Sequence, residues 1–454
     1  MLAAKMAIAR TAGALSRRSG RGGTSLPGKV LMRLEPHAIS RLAGRLRDGS
    51  AVISATNGKT TTAAMVAAIL EGSGTRLVHN RAGANMAGGV ASSLLGAARG
   101  RGGIDGDAGL FEVDEFWLDS VVPELRPCAL LLSNLFRDQL DRYGELETIA
   151  DRWAAAVAAA PDTSLVLNAD DPLVADLGRD RVGQVTYFGV QDDGVALAGM
   201  AHASDSKHCR RCGAPYVYDA VYMGHLGRYH CPNGDARRPV PDVFATDIVL
   251  DGTRAARFAL HLDGAVATVC LPLPGLYNVY NALGAAALTQ ALGADLPQIV
   301  AGLQATQAAF GRAETVVVGG RELAILLVKN PAGANEVLRT LALDEEELDV
   351  LAVLNDRIAD GRDISWVWDA DFEHLAGHVR RVTCSGTRAA ELALRLKYAG
   401  VDPERLHVVP GLERGLDEAL ADGSGRLVAL PTYTAMLALR ELLVARGAAT
   451  GSFA

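Results

Sequence analysis

The sequence predicts an α/β protein with three parts: a parallel-sheet nucleotide-binding core, a small cysteine-bearing module inserted into it, and a second α/β unit after it. Three observations predict this. From about residue 46 to 200, apolar runs alternate with alanine-rich helical stretches, as strands joined by crossover helices do. The first of these repeats carries Ala55-Thr56-Asn57-Gly58-Lys59-Thr60-Thr61, a Gly-Lys-Thr loop between an apolar run and a helical one. From about residue 320 the alternation restarts, with enough chain left for a separate unit of roughly 130 residues. The expected divisions are a basic arm over 1–45, a core over 46–315 with the insertion at 200–240, and a C-terminal unit over 316–454.

Composition sets the bounds. The chain has 454 residues, 49% hydrophobic and 21% charged, which suits several buried cores. A net charge of −7 argues against bulk nucleic-acid binding. No apolar run approaches the ~18 residues of a membrane span. The six cysteines are sparse and three of them cluster, which fits a reducing cytoplasm and a metal site better than a disulfide framework.

Residues 1–30 carry Lys5, Arg10, Arg17, Arg18, Arg21 and Lys29, with no acid before Glu35. Two readings stand: a solvated, partly helical arm, or a contact with the inner membrane surface. Arg18 to Gly28 is rich in Gly and Ser and is expected to be a linker.

In the Gly-Lys-Thr loop, backbone N–H groups and a helix N-terminus favour an anion. Asn57, Gly58, Lys59, Thr60 and Thr61 are therefore expected to bind phosphate, with Lys59 reaching the β/γ-phosphates of ATP and Thr60 holding Mg²⁺. Only six lysines stand among 45 Lys and Arg residues, so Lys59 is a marked choice. One departure is Ile53, which occupies the place of the first glycine of the full phosphate-loop pattern. Leu110 to Glu115 reads as a strand ending in carboxylates, which places Glu112 to hold Mg²⁺. Further strands are expected at 129–132 and 164–167. Turn chemistry accounts for Asn168-Ala169-Asp170-Asp171-Pro172.

The insertion holds Cys209-Arg210-Arg211-Cys212 and, about 20 residues on, Tyr229-His230-Cys231-Pro232-Asn233. Cys209, Cys212 and Cys231 are expected to bind Zn²⁺, because S-ligation replaces a core that so short a segment cannot build. Asn233 stands where a fourth thiolate belongs, which leaves His208, His225 or His230 to complete the set, or reduced structural thiols without metal. In the last third, strands are expected at 323–328, 348–354, 381–384, 406–409 and 427–430.

Together, the phosphate loop, the segment around Asn85, Asp138 and Asp141, Leu-Asn-Ala-Asp-Asp-Pro, Gly275-Leu276-Tyr277-Asn278-Val279-Tyr280-Asn281 and Phe310-Gly311-Arg312-Ala313-Glu314 resemble the Mur ligase family. The resemblance implies a Mur ligase-type central ATPase domain and a Rossmann-like C-terminal domain. ATP activates a carboxylate as an acyl phosphate, with Asn281 and Arg312 facing the nucleotide. Between Asp138 and Ser206 there is no lysine, whereas amino-acid-adding members place a carbamylated lysine there. Lys329-Asn330-Pro331-Ala332-Gly333-Ala334-Asn335, the run from Asn355 to Glu373 and Ser385-Gly386-Thr387-Arg388 narrow the resemblance to the MurT-type branch. That branch implies a synthetase subunit that amidates the D-isoglutamate α-carboxylate of lipid II at the cytoplasmic face of the membrane. Its ammonia would come from a GatD-type glutamine amidotransferase partner in a heterodimer. By motif position Asp363, with Asp360 second, would be the acid lent to that partner's Cys–His pair. Two alternatives remain: an amino-acid-adding ligase, against which the missing lysine counts, and a non-catalytic nucleotide-binding scaffold, against which Lys59, Thr60, Glu112 and Arg312 count.

Overall fold

A computed structural model describes residues 2–18, 25–80, 84–100, 102–138, 146–200, 204–307, 313–344, 346–421, 423 and 426–449. In chain order the strands are β1 (Ser50–Ser54), β2 (Leu77–His79), a short hairpin β3 (Ala98–Arg99) and β4 (Gly103–Ile104), β5 (Ala108–Glu112), β6 (Ala129–Leu132), β7 (Ser164–Asn168) and β8 (Val185–Val190). There follow β9 (Val217–Met223), β10 (Leu226–His230), β11 (Val243–Asp251), β12 (Ala255–Leu262) and β13 (Ala265–Leu271). The last third adds β14 (Glu314–Val318), β15 (Arg321–Ile325), β16 (Leu348–Val353), β17 (Val379–Ser385), β18 (Leu406–Val408) and β19 (Leu427–Pro431).

Two sheets organise the chain. The first has nine strands in the order β13-β12-β11-β8-β7-β6-β1-β5-β2. From β2 to β11 every pairing is parallel, and β12 and β13 extend that edge as antiparallel strands. Its central strands read as continuous apolar runs because both faces are covered: all of β1 and β6 is buried. Helix Leu276–Ala291, buried along nearly its whole length, packs on one face, and Trp153 on helix Leu146–Ala158 fills the other. The second sheet runs β14-β15-β19-β16-β17-β18, parallel except at the β14–β15 pair.

The expected strands of both sheets are present, most of them within two residues of their predicted ends. The Leu110–Glu115 run differs: its pairing stops at Glu112, so Val113 to Glu115 turn out of the sheet. At the other end of the chain the solvated-arm reading needs correction, and residues 19–24 of the expected linker lie outside the described residues while its end from Leu26 is helical. Helices Leu2–Arg18 and Leu26–Leu34 dock on the first unit, with Met6, Ala9 and Leu31 buried in its core. The Gly28 N–H donates to Ser92 Oγ at 2.8 Å, and a side chain at Gly28 would collide with the backbone at Gly88. A glycine read as flexible is a close-packing site. Among the described residues, no helix is long and apolar enough to cross a membrane.

The insertion forms the β9–β10 hairpin with a bridge at each flank, His208–Pro215 and His230–Arg237. Tyr216 packs edge-on against Tyr229 at 5.1 Å.

Candidate active site

The site begins where β1 ends. β1 lies between β5 and β6, so the chain leaves it in one direction and returns on the other side, which opens a crevice beyond the strand ends. Thr56 to Gly58 cross that crevice. The Thr56 and Asn57 N–H groups donate to the carbonyl and the side-chain oxygen of Asn134, and Phe136 N–H donates to Thr56 Oγ1. Gly58 sits at φ +90°, and a β-carbon there would lie 2.0 Å from Asn281 Oδ1, so only glycine fits. Lys59 then opens helix Lys59–Gly72, which aims its first N–H groups at the crevice.

Lys59 is buried, with its ammonium 2.7 Å from Glu115 Oε2 and also bonded to Ala55 O. Burial alone would depress its pKa, but the carboxylates of Glu115, Asp114 and Glu112 outweigh it and hold Lys59 above the ordinary lysine value. Glu115 responds in kind. Burial opposes its ionisation, yet Lys59 and Lys329 keep its pKa below the usual carboxylate range. Thr60 Oγ1 donates to Glu112 Oε2 at 2.8 Å. Asn80 clamps the Glu112 backbone with one bond to its N–H and one to its carbonyl. A hydroxyl and a carboxylate at a helix N-terminus are the hard oxygen donors that Mg²⁺ takes.

Lys59, Glu112 and Glu115 face a cavity of about 380 Å³ lined by both units. The first unit supplies Asn57, Gly58, Lys59, Thr61, Glu112, Glu115, Asp138 and Asn281, and the second supplies Lys329, Gly333, Glu336 and Tyr433. Asn281 is held by Thr62 Oγ1 at 3.2 Å and by its own bond to Asn278 at 3.0 Å. Arg312 and Asp141 lie outside the described residues.

Two contacts cross between the units at the phosphate loop, and the sequence pointed to neither. Asn57 and Asn330 exchange amide hydrogen bonds of 3.2 and 3.0 Å. The Lys329 ammonium donates to Thr56 O at 3.2 Å and to Asp138 Oδ2 at 2.5 Å. In the sequence Glu115 is one of a carboxylate cluster, and nothing there singles it out as the partner of Lys59. Asp170, read as turn chemistry, is a buried hub that accepts from Arg238, Tyr280 OH at 2.6 Å and Val190 N–H.

The remaining sequence-derived residues lie elsewhere. Asp363 is exposed and accepts the Ser365 N–H at 2.8 Å, which lowers its pKa. Asp360 is buried, and both its oxygens are taken up by Thr434, through its N–H and its hydroxyl. Cys209, Cys212 and Cys231 come together with all three sulfurs within 4.8 Å of one another, a group of thiols that could hold one metal ion. Asn233 Nδ2 donates to Cys212 Sγ at 3.4 Å. No histidine joins this cluster among the described residues. His225 is fully buried against Asp171 at 3.3 Å and the Phe136 ring.

Comparison with known proteins gives a consistent assignment. The family model for the Mur ligase middle domain matches residues 53–233, and that for the MurT ligase C-terminal domain matches residues 327–436. The MurT subunit of lipid II isoglutaminyl synthase (glutamine-hydrolyzing) from Streptococcus pneumoniae is 34% identical over 94% of this chain and 94% of its own length. The Staphylococcus aureus MurT subunit is 32% identical over 96% of each. Among solved structures, a pseudomurein peptide ligase type C from Methanothermus fervidus superposes with a TM-score of 0.67 at 23% identity, over 89% of this chain and 80% of that one. MurF from Acinetobacter baumannii gives 0.64 at 19%, over 91% and 80%, so both share the fold. With end-to-end similarity at that identity and both family models in register, the chain belongs to the MurT family, a branch of the Mur ligases.

Proposed function

We propose that this chain is the synthetase subunit of a glutamine-dependent lipid II isoglutaminyl synthase and amidates the D-isoglutamate α-carboxylate of the lipid II stem peptide. The observation that carries the reading is the cavity between the units, where Lys59, the Thr60–Glu112 pair and the glycine-only turn at Gly58 converge. Asn57, Gly58, Lys59, Thr60 and Thr61 bind the phosphates of ATP, Asn281 positions the loop beneath them, and Arg312 is the further nucleotide contact implied by motif. Thr60 and Glu112 hold Mg²⁺, which when bound offsets phosphate charge against the surrounding carboxylates. The substrate carboxylate attacks the γ-phosphorus, the bond to the β-bridging oxygen breaks, and ADP leaves. Ammonia then attacks the acyl carbon, loses a proton and displaces phosphate.

Ammonia needs no amino-acid pocket, which agrees with the missing lysine between Asp138 and Ser206. A GatD-type glutaminase supplies it, and Asp363 lends the acid that orients that partner's histidine. Asp363 is the better choice over Asp360 because it is exposed, whereas Asp360 is committed to Thr434. The three cysteines hold Zn²⁺ as a structural staple, and the enzyme works at the cytoplasmic face of the membrane. The chain is organised as arm, core and C-terminal unit, with β14 (Glu314–Val318) counted in the C-terminal unit.

The test is ATP-dependent amidation of lipid II by the purified chain, with ammonium chloride or with glutamine, alone and with the co-purified glutaminase. Product from ammonium with or without the partner, and from glutamine only with it, is expected. Lys59→Ala should abolish both and spare glutamine hydrolysis by the complex, whereas Asp363→Asn should lose glutamine-driven product and retain the ammonium-driven one. Failure of the complex to amidate from either donor refutes the reading, and an Asp363→Asn complex with full glutaminase activity refutes the triad assignment.

A further inference from the structure

We propose that Lys329 is a catalytic residue of the phosphoryl-transfer step, delivered to the phosphate site by the C-terminal unit; the proposal rests on the reading above. The argument starts from charge. Glu112, Asp114, Glu115 and Asp138 all line the cavity, and the reaction brings in a triphosphate and a further carboxylate. Among the described residues only two cationic side chains line it, Lys59 and Lys329. The Lys59 ammonium is engaged by Glu115 and by the carbonyls of Ala55 and Thr56. Lys59 serves the phosphates from the loop side, and Lys329 is the one further cation among the described lining residues that can turn toward the transferring phosphoryl group.

Its geometry fits that task. The ammonium contacts Thr56 O and Asp138 Oδ2, two acceptors for three N–H bonds. Thr56 stands two residues before Gly58, so the ammonium already lies beside the phosphate loop. The backbone on either side of Lys329 is fixed. Val328 N–H donates to Pro431 O at 3.0 Å, while Asn330 bonds Asn57 and caps helix Pro331–Leu341 through the Gly333 N–H at 2.8 Å. A charge held on such a frame needs little reorganisation when negative charge develops nearby, the condition for strong electrostatic catalysis.

Asp138 behaves as the resting counter-ion. It is buried, its second oxygen has no hydrogen-bond partner, and burial raises its pKa despite Lys329. When the γ-phosphoryl group arrives, Lys329 shifts its bond from Asp138 to a non-bridging γ-oxygen. During transfer the carboxylate-oxygen-to-phosphorus bond forms and the bond to ADP breaks. Lys329 balances the charge without giving up a proton.

The experiment uses the full chain with its glutaminase, as wild type, Lys329→Gln and Lys329→Arg, with thermal melting to establish that each variant is folded. Phosphoryl transfer is read as β,γ-bridge to non-bridge isotope exchange in ¹⁸O-labelled ATP, with lipid II present and no nitrogen donor. Amidation is read with ammonium chloride. Lys329→Gln is expected to lower exchange and kcat for amidation together by about 100-fold, with the ATP KM within about threefold, and Lys329→Arg to restore part of both. Exchange that survives in Lys329→Gln overturns the proposal, whether or not amidation is lost. So does a rise in ATP KM at unchanged kcat. A wild-type complex that neither exchanges nor amidates refutes the functional reading itself, a result distinct from either.

Discussion

A carboxylate buried against a largely apolar wall resists ionisation, and Glu336 on the cavity lining is such a group. Its side chain is almost fully buried, and burial raises its pKa from 4.5 to about 7, although Arg339 at 2.8 Å offsets part of the shift. Between those values the folded chain binds a proton that the unfolded chain has released. The nucleotide-free protein should therefore lose stability as pH rises from 4.5 through 7, by up to about 3 kcal/mol from this group. Glu336→Gln is expected to remove that slope and to be more stable than wild type at pH 8, read from urea midpoints across the range. Parallel pH profiles for the two proteins would show that burial does not set this carboxylate's pKa. At this scale the sequence was legible where one short motif carries the chemistry. Lys59, Thr60 and the glycine follow from local pattern, and Glu112 from the end of a strand. Lys329 and Asp138 meet across 191 residues and Asn57 and Asn330 across 273, and neither pattern nor spacing encodes such a contact.

Among elements, the helix carrying Asn281 is tied by one acid to two other segments. Tyr280 on that helix donates to Asp170 just after β7, and Arg238, near the end of the insertion, donates to the same carboxylate. Both Asp170 and Arg238 are buried, so the pair fixes three elements at once. Asp170→Asn keeps the shape but removes the counter-ion of a buried guanidinium, and should cost about 3 kcal/mol of stability. Equilibrium denaturation measures this; a loss below about 1 kcal/mol would mean that the arginine finds solvent instead. Turn chemistry accounts for Asp171, which caps a short helix with its side chain accepting from Leu173 and Val174, although the sequence alone did not name it as a cap. It did not identify Asp170, because a hub is defined by what folds back onto it. Strands buried on both faces were legible to within a residue or two. The docking of the N-terminal helices was not, although a partly helical arm was expected, because a glycine looks the same whether it serves flexibility or close approach.

At the scale of the whole molecule, the cysteine module is the part with the least core of its own. Among the described residues, Cys209, Cys231 and Ala236 form the cluster of buried apolar residues around the sulfurs, far too few to hold a fold. It is tied to the rest through Arg210–Asp151, Arg211–Asp180 and the Arg179 bond to Asp235 O. The purified chain is expected to carry about one zinc, with chelation or Cys209→Ser lowering the melting temperature by about 5 °C. Metal analysis and melting curves decide it: a zinc-free chain that melts unchanged in chelator would make the sulfurs simple packing groups. The fold class was legible at this scale because the hydrophobic alternation stops and restarts. The cavity between the units was not, because it belongs to neither alternation.

The strand that registers Lys329 has a consequence for biosynthesis. β19, at residues 427–431, is the last strand among the described residues, yet it lies inside the C-terminal sheet between β15 and β16. Leu326 and Val328 bond to its backbone, so the segment leading to Lys329 has no template until β19 itself has been made. The phosphate loop, by contrast, precedes both in the chain. A prematurely terminated chain would thus carry a phosphate loop without the clasp that completes it. Synthesis from the N-terminus thereby makes the assembled cavity depend on β19 being present.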